Sequence, residues 1–271
     1  FRRGEQSYPP KAWVINAQGK TIIPGLFDID THIGQQGLEA AAQALSNYLY
    51  FGIMSISDTG VTLIHGDGLK RLEQEGRLIA PRIFDAGPTF TVVGGHPIPT
   101  NRALGRAIDP RTLTQIDGPK TAVEQVQRYV REYRAATLKT IMESGGDLGD
   151  PRMTVETLEA LVNEAHRYHL KVYAHAVELP DIRDTLKGGV DLVAHGLFES
   201  LTAESDIAQM MAKNKTSWLP DLNNSEAALK LFDHPEIWND PQVRKSVAGR
   251  YIDMARDPKV LDRMRPRLAR S

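Results

Sequence analysis

Short apolar runs of strand length alternate with helical periodicity along most of this chain, and that alternation points to a parallel sheet. "GLFDI" at 25–29 is the first run, and Leu38, Ala41, Ala42, Leu45 and Leu49 after it mark one face of a helix. "IMSIS" at 53–57 precedes a weaker helix around Leu69 and Leu72, and "RIFDAG" at 82–87 is a third strand. The Gly- and Pro-rich stretch 88–119 reads as a long loop, a length that usually carries function. Val123, Val126, Val130 and Tyr133 then predict a helix, and "ATLKTIM" is the fourth strand. Thr154 stands where it would cap a helix whose apolar face is Val155, Leu158, Leu161, Val162 and Ala165. "LKVYAHA", "VDLVAHG" and "KTSWLPDL" follow as strands five, six and seven.

An open doubly wound sheet and a closed (β/α)8 barrel both fit such a pattern. Chemistry-bearing residues separate them. Asp30 and His32 lie two apart, so they share one face of the first strand. Lys139, His175 and His195 lie at or near the ends of strands four, five and six. One site drawing on all of these needs a closed ring, so the fold class expected is α/β, a TIM-type (β/α)8 barrel. An acid and an imidazole on an inward face are costly without a partner, and a divalent cation is one such partner. His166 and His169 read as helix-surface residues, and His65 and His234 sit in polar, loop-like contexts.

The other bounds are broad. The 271 residues are 41% hydrophobic and 25% charged, an ordinary globular composition. Lys and Arg number 33 against 34 Asp and Glu, a net charge of -1 that gives no electrostatic reason to expect nucleic acid or an anionic membrane. No apolar run approaches the ~20 residues of a membrane span. Without cysteine there are no disulfides or thiolate ligands, so a metal must sit on His, carboxylate or modified Lys. The chain starts at Phe1, and its compartment stays open between cytoplasm and export.

The motif set then carries a resemblance. "GKTIIPGLFDIDTHIG" looks like the first-strand signature of the amidohydrolase superfamily. "GGHP", "LKTIMESGG", "VYAHA", "GGVDLVAHG" and "SWLPDL" resemble, in order, further motifs of its imidazolonepropionase-like and prolidase-like branch, over about residues 13 to 222. The resemblance implies a distorted (β/α)8 barrel beside a small β-sandwich built from both chain ends. Residues 1–24 would supply part of that sandwich and 25–271 the barrel. It implies hydrolysis of amide or related bonds in a small substrate (a dipeptide, N-acyl amino acid, lactam or lactone) by water activated on one or two divalent ions, with Zn²⁺ expected. His32 becomes a metal ligand, Lys139 a carboxylated lysine bridging two ions, and His175 and His195 ligands of the second ion. His96, in the loop after strand three, is read either as a substrate contact or as a structural residue of that Gly-rich turn. The partner expected is a small molecule, with a homo-oligomer left open.

Two departures qualify the match. The usual first-strand His-x-His is Asp30-x-His32 here, so Asp30 becomes a carboxylate ligand in place of an imidazole. The family's proton-accepting Asp ends an eighth strand, and no such strand is recognisable after "SWLPDL", so the barrel is expected to be incomplete. Asp221 lies on strand seven, and Asp253 and Asp257 read as helix-surface acids. These departures leave a second expectation beside the hydrolase: a homologue that binds metal or a small ligand without turning it over.

Overall fold

The computed structural model describes residues 9–35, 38–103, 107–133, 135, 137–145, 149–197, 206–221, 230, 233–246, 252–253, 256–259 and 262. In chain order the elements are β1 (Leu26–Thr31), α1 (Leu38–Tyr50), β2 (Ile53–Asp58), α2 (Leu63–Gln74), β3 (Arg82–Asp85), β4 (Thr89–Val92), α3 (Ile98–Ala103), β5 (Leu113–Ile116), α4 (Pro119–Glu132), β6 (Thr137–Ile141), α5 (Val155–Arg167), β7 (Lys171–His175), α6 (Leu179–Lys187), β8 (Leu192–Ala194), α7 (Ile207–Asn214), β9 (Ser217–Leu219) and α8 (Pro241–Ser246). All seven strands expected from the sequence are present. Thr154 does cap α5, its hydroxyl accepting the Thr157 N–H at 3.2 Å.

The strands form two sheets, ordered β1-β2-β3 and β5-β4-β6-β7-β8-β9, and every described pairing is parallel. Among the described residues β1 and β3 are the edges of one sheet and β5 and β9 those of the other, and no strand follows β9. This is an α/β barrel left incomplete. The two sheets still wrap one interior, because side chains of β1 meet those of β6 and of the β8 end across it.

The stretch 88–119 is not a loop. It contains β4, α3 and β5, and β4 pairs with both β5 and β6. Gly87, at φ +60°, and Pro88 interrupt the third strand and split it into β3 and β4. His65 also departs from its expected loop context, since it lies in the first turn of α2. His166 is on α5, but His169 lies beyond that helix at φ +59°. Residues 9–25 contain turns but no strand.

Burial follows the layers. Phe90, Leu138, Val172 and Val193 of the larger sheet pack with Val126, Leu158, Leu161, Ile182 and Leu186 of helices α4, α5 and α6. Leu45 of α1 and Leu69 of α2 pack on Ile56 and Ile83 of the smaller sheet. At ~25 cal/mol per Å² of apolar surface removed from water, these contacts are what hold the helices on the sheets. At the N-terminal end of the strands a cavity of 290 Å³ lies among Phe27, Ile29, Phe84, Tyr173 and Leu192. The opposite end collects the polar side chains.

Candidate metal centre

The register of β6 and β7 sets the first layer of that polar end. Lys139 pairs with Tyr173 and Ile141 with His175, so Tyr173 lies one inward position below His175. Lys139 is only 3% exposed, and its Nζ stands 4.8 Å above the Tyr173 ring. That nitrogen donates to Asp30 Oδ2 at 2.5 Å. Burial alone would favour the uncharged form of both groups. Burial lowers the Lys139 pKa, with Asp30 opposing. For Asp30, burial is outweighed by the charges of Lys139 and His195, which hold the carboxyl below its ordinary value.

His195 comes next, directly after β8, with Nε2 3.4 Å from the same Asp30 oxygen and Nδ1 2.7 Å from Asp221 Oδ2. His175 meets His195 edge to face at 4.4 Å between ring centroids. Its Nε2 is 2.6 Å from Glu143 Oε2, and His96 Nδ1 reaches the same oxygen at 2.9 Å, the two rings stacked at 4.7 Å. Burial, reinforced by His195, pushes the His175 pKa down to about 3, so this imidazole is neutral at pH 7. Burial raises the Glu143 carboxyl, but hydrogen bonds from His175 and His96 overcome it and keep the group ionised. His32, at the exposed rim, turns Nδ1 toward the Thr59 carbonyl oxygen at 3.0 Å.

Local backbone devices hold these side chains. Asp58 is 1% exposed and accepts the N–H groups of Ile33 and Gly34, both at 2.7 Å, fixing the turn after His32. A Cβ on Gly34 would stand 2.2 Å from Val61 Cγ2, so only glycine fits there. Asp181, fully buried in the first turn of α6, accepts from the Ser144 N–H at 3.0 Å and hydroxyl at 3.1 Å and pairs with Arg152 at 2.6 Å. It thereby fixes the backbone next to Glu143. The Thr91 hydroxyl donates to the His96 carbonyl at 2.7 Å and holds that turn.

The structure therefore brings Asp30, Lys139, His175 and His195 together, with His32 at the rim and His96 against His175. Sequence reading overlooked Glu143 and set Asp221 aside. Asp221 in fact bonds the His195 ring. Among the described residues, two sets of donor atoms lie within 4.8 Å of one another: Asp30, His195 and Asp221, and His96, Glu143 and His175. Imidazoles and carboxylates without thiols fit Zn²⁺ or a neighbouring divalent ion. Asp30, Glu143 and Asp221 bring three carboxyl groups to the one amine of Lys139, a donor set that also suits a cation.

A family model described as "Amidohydrolase family" matches residues 21–229. No curated protein matches the chain. Among solved structures, the chain is similar to an Xaa-Pro dipeptidase with methionine bound in its active site: 23% identity, TM-score 0.57, covering 92% of this chain and 64% of that one. A prolidase complexed with N-methylphosphonate-L-proline is 22% identical, with TM-score 0.67 and coverage of 98% and 66%. A putative prolidase from Bifidobacterium longum is 20% identical, with TM-score 0.66 and coverage of 96% and 61%. At these identities the likeness establishes the fold. The chain spans roughly two-thirds of the length of these proteins.

Proposed function

The chain belongs to the amidohydrolase family, and on that premise we propose that it is a metal-dependent hydrolase of amide or related C–N and C–O bonds in a small substrate. One observation carries this reading. Asp30 Oδ2 on β1 is approached by Lys139 Nζ from the middle of β6 at 2.5 Å and by His195 Nε2 beyond β8 at 3.4 Å, Asp30 and His195 lying at the C-terminal ends of their strands. Active sites of parallel barrels gather there.

Asp30, His32, Lys139, His175 and His195 would hold one or two divalent ions, Zn²⁺ first among them. Such an ion lowers the pKa of a coordinated water toward ~7 and polarises the carbonyl under attack. The chain's own part is to supply charge and position. Loss of a proton from the Lys139 ammonium, followed by addition of CO₂ to the neutral amine with loss of a second proton, would turn the cation into an anionic carbamate with two oxygens suited to holding divalent ions. His96 stacks on His175, and on this reading it would touch an arriving substrate. The prolidases among the structural neighbours put Xaa-Pro dipeptides first in the search for that substrate, followed by N-acyl amino acids, lactams and lactones.

The test is to strip the protein of metal, reload it with Zn²⁺ or Mn²⁺, and assay both forms on that panel. The reloaded form should hydrolyse at least one class and the stripped form none. Metal uptake without hydrolysis of any class would favour the binding homologue, the alternative that Asp30 in place of histidine supports.

A further inference from the structure

We infer that Asp221 and Glu143 are positioning residues that hold the rings of His195 and His175 from behind, leaving His195 Nε2 and His175 Nδ1 as the faces offered to a divalent cation. The inference rests on the metal-centre reading above and assigns two carboxylates that neither the resemblance nor the comparisons assign.

Distances decide between ligand and positioner. Two donors sharing one tetrahedral ion at 2.0–2.1 Å stand ~3.3 Å apart. The 3.4 Å between His195 Nε2 and Asp30 Oδ2 meets that spacing. The 2.7 Å from Asp221 to His195 and the 2.6 Å from Glu143 to His175 are too short for co-ligands. They have the length of charge-assisted hydrogen bonds. A carboxylate can only accept, so each fixes the N–H on the nitrogen it faces and the lone pair on the other. His32 follows the same rule through the Thr59 carbonyl. Histidines that bind metals are oriented in this way by oxygen acceptors.

Backbone conformation gives independent support. His195 and Asp221 both adopt the left-handed region, at φ +78° and +44°. A residue other than glycine adopts that conformation at a cost, and such strain collects at functional sites. Here the two strained residues bond each other. Their strand ends also approach closely, since a Cβ on Gly196 would lie 2.9 Å from the Pro220 carbonyl oxygen. Glu143 is fixed differently, by the Asp181 clamp on Ser144.

Two measurements test the inference. Long-range ¹H–¹⁵N NMR of the metal-free protein should show His195 as the Nδ1–H tautomer and His175 as the Nε2–H tautomer; the opposite or mixed tautomers would overturn it. In Zn²⁺ titrations, Asp221→Ala and Glu143→Ala should each weaken affinity by 10–100-fold, as loss of an orienting partner does, without changing the number of ions bound. Asp221→Asn and Glu143→Gln keep the shape and one neutral acceptor, so they should fall nearer tenfold. They also decide the matter should the alanine variants fail to fold. Unchanged affinity in all four variants, or loss of a whole equivalent of ion, would overturn the inference. Wild-type protein that takes up no Zn²⁺ would overturn the proposed function and the inference together, whereas metal uptake with the wrong tautomers sinks the inference alone.

Discussion

Asp30 is where the site's charges meet, and its side chain is only 3% exposed. Such burial of a carboxylate costs several kcal/mol unless a cation answers it, which Lys139 does here. Asp58 shows the reverse balance. Burial lifts its pKa from 3.8 to about 7 despite two backbone N–H donors, and the nearby Asp85 adds to the rise. Because the folded value lies above the unfolded one, the folded chain takes up a proton in this window. Asp58's contribution to stability is therefore complete below pH 4 and is lost as the pH rises to about 7. The depressed His175 acts in the opposite sense over the same window, so Asp58 is read by difference: in urea denaturation the stability of the wild type relative to Asp58→Asn should fall as the pH rises from 4 to 7. An unchanged slope in the variant would assign the effect elsewhere. Asp30, His32, His175 and His195 were legible because each lies at the end of an apolar run, and Lys139 because it interrupts one. Glu143 was not, since an acid four residues after Lys139 and just past a strand looks like ordinary solvent-facing polarity. Asp221 was not because its inward aim depends on a positive φ, which follows Pro220 without any glycine to signal it.

The elements that place the site are short strands with tightly held exits. Seven strands were readable from runs such as "LKVYAHA", since hydrophobic strands flanked by amphipathic helices leave a clear pattern. The content of 88–119 was hidden. Each of β4 and β5 is only four residues long, and Gly87–Pro88 mimics the end of a strand rather than a break within one. The exit of β6 depends on Asp181 of α6, which is fully buried and satisfies Arg152 and Ser144 at once. Removing one partner of a buried pair costs ~3–5 kcal/mol, so Asp181→Ala should lower stability by about 3 kcal/mol, given that Arg152 is partly solvated. Denaturant unfolding measures this, and metal affinity should fall with it because Glu143 loses its fixed backbone. A variant as stable as the wild type would show that α6 does not clamp this exit.

At the scale of the whole molecule, the barrel presents open edges at β1 and β9 among the described residues. Beside β1 lie the apolar side chains of Leu26, Phe27 and Met54, each just over half exposed, and Phe27 stacks on Phe84 at 5.5 Å. An unpaired edge next to an apolar face favours association. Sedimentation velocity should therefore find the 271-residue chain larger than a monomer at micromolar concentration, and Phe27→Lys should shift it toward monomer. A monomeric wild type would show that this edge is otherwise protected. If strands from both sheets build one metal centre, anomalous diffraction from Zn²⁺-loaded crystals will reveal it. The expected result is a peak about 2.0–2.2 Å from both an Asp30 oxygen and His195 Nε2. A crystal loaded under the same conditions with no peak there, and with Asp30 still bonded to an unmodified Lys139, would contradict it.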